Sequence, residues 1–211
     1  GFDVLRFDYA GTGNSHGNAL EASPHVMMKN IRDVSNWMRQ RHELDSVSLI
    51  GIRLGATLAA CSAATGIDQQ LLWDPVVCGE TFLQSLDELH AETLSNEMRF
   101  ARPRQSSSID QAYGTRLNHV IRRQLSQLKL NLGDSQDDHA TTLLLSRDYV
   151  VPGIDAPQSS INGSVIQMDD EIGWDRPELN ESVFSSPGAI RHITKLLVDE
   201  SDADCAIEVQ S

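Results

Sequence analysis

A basic side chain stands where a short loop joins an apolar strand to a helix of small residues. The run 47–56 contains Gly51, Arg53 and Gly55 in the pattern Gly-x-Arg-x-Gly. In a strand-turn-helix elbow of this kind, glycines let the strand and helix backbones approach, and the central residue is commonly a serine nucleophile. A guanidinium stays protonated at ordinary pH and has no lone pair with which to attack a carbonyl. The pattern therefore predicts the geometry of nucleophilic catalysis without its nucleophile.

Carboxylic acids follow other segments that the pattern brings to the same edge of a sheet as Arg53. Asp74 ends an apolar run, Asp148 follows another, and Asp8 opens a glycine-rich loop. A buried guanidinium needs a partner, so an ion pair between Arg53 and one of these acids is the first interpretation. The second is an anion receptor, because a guanidinium above a helix N-terminus could bind a carboxylate or a phosphate. The expected ligand is therefore small and either anionic or an acyl compound.

Three further features could take part in chemistry, and each also has a simpler interpretation. Cys78 could be a nucleophile, but no neighbouring base is evident and free cysteines are usually packing residues. His16 could shuttle protons, but its loop position is typical of a solvated side chain. The run 11–13 contains two glycines without the third that a nucleotide-binding loop requires. No cofactor is therefore predicted.

Composition excludes several classes of function. The chain has 211 residues, 40% of them hydrophobic, and a net charge of −13, which argues against nucleic acid and anionic membranes as partners. No apolar run reaches the length of a membrane span. Three widely spaced cysteines, Cys61, Cys78 and Cys205, predict neither a disulfide framework nor a metal site. A reducing cytoplasm is the expected compartment, and no protein partner is indicated.

The elements that must position these residues alternate between strands and helices. Apolar runs predict strands, and 3.6-residue periodicity with Pro24 and Pro187 as first helical residues predicts the helices around them. The predicted strands are 2–7, 47–50 (running into the Gly-x-Arg-x-Gly turn), 70–73, 140–145 and 164–168, and the predicted helices are 24–41, 54–65, 81–100, 115–130 and one beginning at 187. This order indicates an α/β fold with a doubly wound, mainly parallel sheet. The predicted division is a first core part (1–80), a small helical cap (81–138), a second core part (139–198) and an acidic disordered tail (199–211).

Two motifs carry a resemblance to a known superfamily. The loop Asp-Tyr-Ala-Gly-Thr-Gly-Asn-Ser at 8–15 resembles the D-x-R-G-x-G-x-S segment of serine aminopeptidase-like hydrolases, which have the α/β-hydrolase fold. Gly-Ile-Arg-Leu-Gly-Ala at 51–56, followed by Leu-Trp-Asp-Pro-Val-Val at 72–77, is similar to hydrolase-like proteins associated with exosortase A systems, where an arginine elbow recurs. The match runs from residue 1 to about residue 198, and it implies that the strands that precede residue 2 in the superfamily are missing.

The resemblance implies an ancestry in ester or amide hydrolysis through a serine acyl-enzyme. It implies a catalytic acid at Asp148, with Asp74 as the alternative, and a histidine in the loop after the last strand. No histidine lies between residues 169 and 186, where Trp174 is found instead, and His192 falls inside the final predicted helix. The sequence therefore predicts a hydrolase-like protein, a pseudoenzyme, whose serine-triad activity is absent or severely reduced.

Two alternatives stay open. In the first, the protein is an active small-molecule hydrolase in which Asp148 or Asp74 acts as general base on water and Arg53 polarises the carbonyl. In the second, the protein is a non-catalytic interaction module of an assembly or export system, as the association with exosortase systems suggests.

Overall fold

The computed structural model describes residues 3–95, 110–112, 115–130, 132, 139–149, 151, 163–174 and 186–207, the last nine of these as backbone only. Helices and strands alternate along most of this length. The elements are α1 (Pro24–His42), β1 (Val47–Ile52), α2 (Leu54–Cys61), β2 (Ile67–Trp73), α3 (Gly79–Ser95), β3 (Gln111–Ala112), β4 (Thr115–Arg116), α4 (His119–Gln127), β5 (Ala140–Leu145), β6 (Gly163–Gln167) and α5 (Pro187–Ile207).

The central sheet of the described residues is parallel and has the strand order β1-β2-β5-β6. Ile52 is paired with Trp73, and Trp73 with Leu144, so the carboxyl ends of these three strands are level. Because parallel strands need crossover connections, each pair of neighbours is joined through at least one helix or a long connection. The level strand ends bring the residues that follow them, among them Arg53 and Asp74, to one edge of the sheet.

Helices cover both faces of the sheet, as alternation of the strand side chains requires. On one face, Leu72 and Leu143 are fully buried and belong to the same cluster as Ala56 of α2. On the other face, Trp73 and Leu144 are buried in a cluster with residues of α5. The predicted fold class, α/β with a doubly wound parallel sheet, is confirmed.

The segment between β2 and β5 contains the helices α3 and α4 and packs at one side of this core. α3 and α4 lie against each other, and β3 pairs with β4 in a short antiparallel ribbon. Arg122 of α4 donates from Nη1 and Nη2 to Asp87 of α3, at 2.9 and 2.8 Å. This pair is bidentate, the geometry in which a surface ion pair is most favourable. The location agrees with a helical insertion, and the division of the chain into core and cap stays a prediction.

Several predicted elements differ from the structure. The helix predicted at 115–130 is the short strand β4 (Thr115–Arg116) followed by α4 (His119–Gln127). The strand predicted at 2–7 is wrong for the described part, because residues 3–9 pair with no strand and Val4 is 85% exposed. Phe7 instead packs edge to face against Tyr9, with ring centroids 5.3 Å apart. The helix predicted at 54–65 ends at Cys61, because the chain turns back into β2 through Gly66, whose φ of 67° favours glycine.

The last helix is longer than expected. α5 continues to Ile207, so residues 199–207 of the predicted disordered tail are helical, and residues 208–211 lie outside the described part. Among the residues that the structure describes, no helix has both the length and the apolar character needed to cross a lipid bilayer.

Asp170 fixes the start of α5 after strand β6. Its Oδ2 accepts from Ser186 Oγ at 2.5 Å and from Gly188 N at 2.8 Å. The Ser186 hydroxyl, followed by the N–H groups of Gly188 and Ala189, lowers the pKa of Asp170 below its usual value of 3.8. The N–H groups of Gly188 and Ala189 belong to the first turn of α5, where backbone donors have no partner within the helix, and a carboxylate can accept from them.

The lowered pKa of Asp170 predicts a loss of stability in acid. A carboxyl group with a lower pKa in the folded than in the unfolded state stabilises the fold above its unfolded pKa, and this contribution is lost as the pH falls through the folded pKa. The Tm advantage of wild type over Asp170→Asn should therefore be full at pH 7 and should shrink below about pH 4. Differential scanning calorimetry across this pH range measures it, with the exposed neighbour Asp169→Asn as control. An Asp170→Asn deficit that is independent of pH would contradict the assignment.

Candidate functional site

Arg53 occupies the tight connection between β1 and α2. Its backbone has φ 52° and ψ −122°, a region that non-glycine residues rarely adopt and that is strained. Arg53 N donates to Trp73 O at 2.9 Å, while Arg53 O accepts from Ala56 N at 3.1 Å and from Val76 N at 3.4 Å. The strained residue is thus fixed by bonds to its own helix and to the end of the neighbouring strand. This is the elbow that the sequence predicted.

The two glycines of the elbow motif have different roles. A Cβ on Gly51 would overlap Ala56 Cα and would lie 2.7 Å from Ala56 N, so the backbones of β1 and α2 touch there. A Cβ on Gly55 would meet only the hydroxyl of Tyr9, at 4.0 Å. The prediction that a close approach requires both glycines is therefore correct for Gly51 and wrong for Gly55.

Two aromatic rings flank the Arg53 side chain. Its guanidinium carbon lies 5.0 Å from the ring centroid of Tyr149 and 5.5 Å from that of Trp174. Both distances are within the range of favourable cation–π contact. Arg53 Nη1 also donates to the backbone carbonyl of Asp74 at 3.3 Å. The guanidinium is therefore held over the strand ends by rings on two sides and by a carbonyl.

The Asp74 carboxyl group is fully buried directly after β2. Oδ1 accepts from Ser146 N at 2.8 Å, and Oδ2 accepts from Ser146 Oγ and from Trp174 Nε1, the latter at 2.6 Å. A buried carboxyl group is tolerated when donors satisfy its oxygens, as they do here. Asp74 thereby ties the ends of β2 and β5 to the loop that carries Trp174.

Asp148 holds the backbone of that same loop. Its Oδ1 accepts from Ile172 N at 3.4 Å and its Oδ2 from Gly173 N at 3.3 Å. These long bonds fix the two residues that precede Trp174. Tyr149, the next residue in the chain, donates its hydroxyl hydrogen to Pro75 O at 2.5 Å. Asp148 therefore positions the loop whose indole covers Arg53.

The structure brings some of the predicted site residues together. Arg53 and Asp74 meet, but through the Asp74 backbone carbonyl, since the Asp74 carboxyl group accepts from Ser146 and Trp174. Asp8 lies in the first loop, where its carboxyl group accepts from Asn14 N at 3.0 Å. In these contacts Asp74 and Asp8 accept hydrogen bonds from neutral donors, and the ion pair with Arg53 stays a prediction.

His192 lies inside α5, as predicted, and its Nδ1 is 2.9 Å from Gly188 O one turn earlier. A ring bonded to its own helix is typical of a helix-surface residue. Among the described residues, no three His, Cys, Asp or Glu side chains gather as a possible metal site.

Sequence reasoning missed how three residues complete the site. Ser146, Tyr149 and Trp174 supply the donors and rings around Arg53 and Asp74. A signal did exist for Ser146, because it is the first residue after β5 and parallel strands end at the same edge. The sequence placed Trp174 in the loop after β6, but it did not indicate the direction of the indole ring.

Comparison with known proteins finds no matching family model and no matching curated protein. Among solved structures, similar chains include Est1E from Butyrivibrio proteoclasticus, with ferulic acid bound, at 16% identity and a TM-score of 0.48, covering 76% of this chain and 64% of that chain. The esterase EaEST from Exiguobacterium antarcticum has 17% identity and a TM-score of 0.48, covering 76% and 70%. A lipase-esterase related protein from Clostridium acetobutylicum has 13% identity and a TM-score of 0.44, covering 76% and 72%.

This chain therefore spans just under two thirds of Est1E. The parallel order β1-β2-β5-β6, the strained elbow at Arg53 and the helical chain between β2 and β5 define the architecture. The fold is α/β, with a doubly wound, mainly parallel sheet.

Proposed function

We propose that this chain is a hydrolase-fold protein of ester or amide hydrolase ancestry that has lost serine-triad activity. The observation that carries the proposal is Arg53 in the strained elbow position, with Tyr149 and Trp174 against its guanidinium. An arginine cannot attack a carbonyl, and no imidazole takes part in the described contacts around it. The serine aminopeptidase-like and exosortase A-associated branches are the proposed relatives.

Trp174 supports this ancestry by its position. Its ring lies against Arg53 and its Nε1 donates to Asp74. In a triad the base lies between the nucleophile and the acid and donates a ring N–H to that acid. Trp174 has the same two neighbours, but an indole nitrogen is a donor only and cannot accept a proton. The indole thus takes the place of a base and closes the site.

Asp74 and Asp148 both accept hydrogen bonds from protein donors, which favours a structural role for the pocket over general-base catalysis. Asp74 accepts from Ser146 and Trp174, and Asp148 from the backbone before Trp174. An acid that is to deprotonate water needs a lone pair directed at that water. The cytoplasm is the proposed compartment, because three widely spaced cysteines do not suggest a disulfide framework.

Two substitutions test the proposal together. We expect wild type and Arg53→Ser to leave p-nitrophenyl acetate hydrolysis at the background rate, because triad members act as a unit. The double variant Arg53→Ser, Trp174→His should raise the rate at least about tenfold and react with a fluorophosphonate, still below the 10²–10⁴-fold of a well-positioned base. The single variant Trp174→His is the matched control and should be inactive.

Ester turnover by the wild-type chain that disappears in Asp148→Asn or Asp74→Asn would overturn the proposal in favour of an acid-assisted hydrolase. Turnover by Arg53→Ser alone would show that a working base is already in place, which is also contrary to the proposal.

A further inference from the structure

The two aromatic rings beside the Arg53 guanidinium are held by bonds that do not involve it. Tyr149 donates its hydroxyl hydrogen to Pro75 O at 2.5 Å, and Trp174 donates from Nε1 to the buried carboxyl group of Asp74 at 2.6 Å. Both acceptors belong to the two residues that follow β2. The rings are therefore fixed against the sheet edge, and their positions do not depend on the arginine.

Further contacts hold the same two rings. The Trp174 ring packs edge to face against Trp73 of β2, with centroids 6.0 Å apart and an interplanar angle of 71°, and Trp73 is buried. Tyr149 N donates to Ser146 O at 3.0 Å in the turn after β5. A site whose walls are fixed before a ligand enters loses less conformational entropy on binding. The two rings are therefore preorganised for whatever lies against them.

The rings and the Asp74 carbonyl present negative partial charge to the guanidinium. The guanidinium carbon of Arg53 lies 5.0 Å from the ring centroid of Tyr149 and 5.5 Å from that of Trp174, and the face of an aromatic ring attracts a cation at such distances. Asp74 O accepts from Arg53 Nη1 at 3.3 Å. These groups favour a cation at the elbow, whereas the sequence alone predicted a small anionic or acyl ligand.

Arg53 reaches these groups from the elbow itself. Its backbone is fixed by the bonds from Arg53 N to Trp73 O at 2.9 Å and from Ala56 N to Arg53 O at 3.1 Å. Because the side chain extends from a fixed backbone, its contact with the rings is intramolecular, and an external cation has to compete with it. The side chain therefore both occupies the site and closes it to other cations.

We propose that Tyr149, Trp174 and the Asp74 carbonyl form a preorganised cage for an organic cation of the guanidinium class, and that Arg53 is its internal ligand. An external cation is excluded while the Arg53 side chain is in place and takes the cage when that side chain is removed. The inference rests on the proposed function in treating Arg53 as a binding and not a catalytic residue. Its test measures binding and stability instead of ester hydrolysis, so each proposal can fail without the other.

The test compares wild type with Arg53→Gly, which removes the internal guanidinium and suits the positive φ of 52° at this position. The probe is methylguanidinium chloride at constant ionic strength, with methylurea as a neutral probe of similar planar shape. Arg53→Gly should bind methylguanidinium saturably, with a Kd on the order of 10 mM or lower, seen in tryptophan fluorescence and as a rise in Tm. Methylurea should bind at least about fivefold more weakly, and wild type should bind methylguanidinium at least about tenfold more weakly.

Two further variants distinguish a cation cage from a cavity that any small molecule fills. Arg53→Lys keeps a cation at the elbow and should exclude methylguanidinium as wild type does. Adding Tyr149→Leu to Arg53→Gly removes one ring and should weaken methylguanidinium binding at least about fivefold. Equal binding of methylurea and methylguanidinium, binding that is unchanged without the Tyr149 ring, or a Kd above about 50 mM in Arg53→Gly would each overturn the proposal.

A measurement on the wild-type chain does not depend on whether any variant folds. Protons that lie over the face of an aromatic ring are shifted upfield by its ring current. In NMR spectra, the side-chain protons of Arg53 should therefore lie upfield of those of Arg41, whose side chain is exposed at the end of α1. Equal chemical shifts for the two arginines would show that the rings do not hold the Arg53 guanidinium, which is contrary to the proposal.

Discussion

Asp74→Ala should lower the free energy of unfolding by about 3–5 kcal/mol, because it leaves buried donors without an acceptor. Ser146 N, Ser146 Oγ and Trp174 Nε1 all donate to this one fully buried carboxyl group. Each buried donor that loses its partner costs about 1–3 kcal/mol. Two of the three belong to Ser146, the first residue after β5, so the loss acts on the sheet edge itself. Urea denaturation at pH 7 measures the change.

The control for this prediction is Asp33→Ala. Asp33 accepts from Lys29 at 2.6 Å on the exposed surface of α1, and such pairs contribute about 0.2–1 kcal/mol. Both variants remove one carboxyl group and one negative charge, so a change in net charge affects them equally. Asp74→Asn should be intermediate, because its oxygen can still accept while its NH2 group faces a donor. A loss below about 1 kcal/mol in Asp74→Ala would contradict the role given to Asp74.

Asp74→Asn also distinguishes a structural role of Asp74 from a catalytic role. If Asp74 served only as a base, Asp74→Asn would abolish turnover and leave Tm unchanged. The three donors predict the opposite order, with the larger effect on stability. Release of Trp174 from Asp74 should also change the indole environment, so the intrinsic tryptophan fluorescence of Asp74→Asn should differ from that of wild type.

The sequence was sufficient for the order of the four central strands and for the elbow. Apolar runs and helix signals such as Pro24 and Pro187 depend only on residues that are neighbours in the sequence, so one sequence is enough to detect them. The level ends of β1 and β2 then follow from parallel pairing, which is why Arg53 and Asp74 could be placed at one edge in advance.

The contacts inside the site could not be predicted in the same way. Charge complementarity favoured a carboxylate as the partner of Arg53, and it gave no indication of the two aromatic rings and the Asp74 carbonyl that lie against the guanidinium. Which donor reaches Asp74 depends on side-chain directions set by the loop after β6, and these have no local sequence signal. The strand predicted at 2–7 failed for a related reason, because apolar alternation shows that a segment can pair, and not that a neighbour is in place.

Gly51→Ala should be among the most damaging substitutions in the chain, although it adds only one methyl group. Its Cβ would overlap Ala56 Cα and lie 2.8 Å from Gly55 O, and both atoms belong to the backbone of α2. A backbone contact cannot be relieved by a rotamer change, so α2 would have to move away from β1. Overpacking of this kind typically costs 1–3 kcal/mol and occasionally more, and we expect about 3 kcal/mol or more here.

Gly55→Ala is the matched control, since it makes the same chemical change two residues beyond Arg53. Its Cβ would have only the Tyr9 hydroxyl nearby, at 4.0 Å, and alanine is favoured over glycine in a helix by up to about 1 kcal/mol. Gly55→Ala should therefore be neutral or slightly stabilising in thermal unfolding, while Gly51→Ala unfolds at a much lower temperature or fails to fold. Equal effects of the two substitutions would mean that β1 and α2 do not touch at Gly51. The strained backbone of Arg53 would then lack the close packing that holds it in place, and the elbow would not be the fixed point from which the rest of the site is positioned.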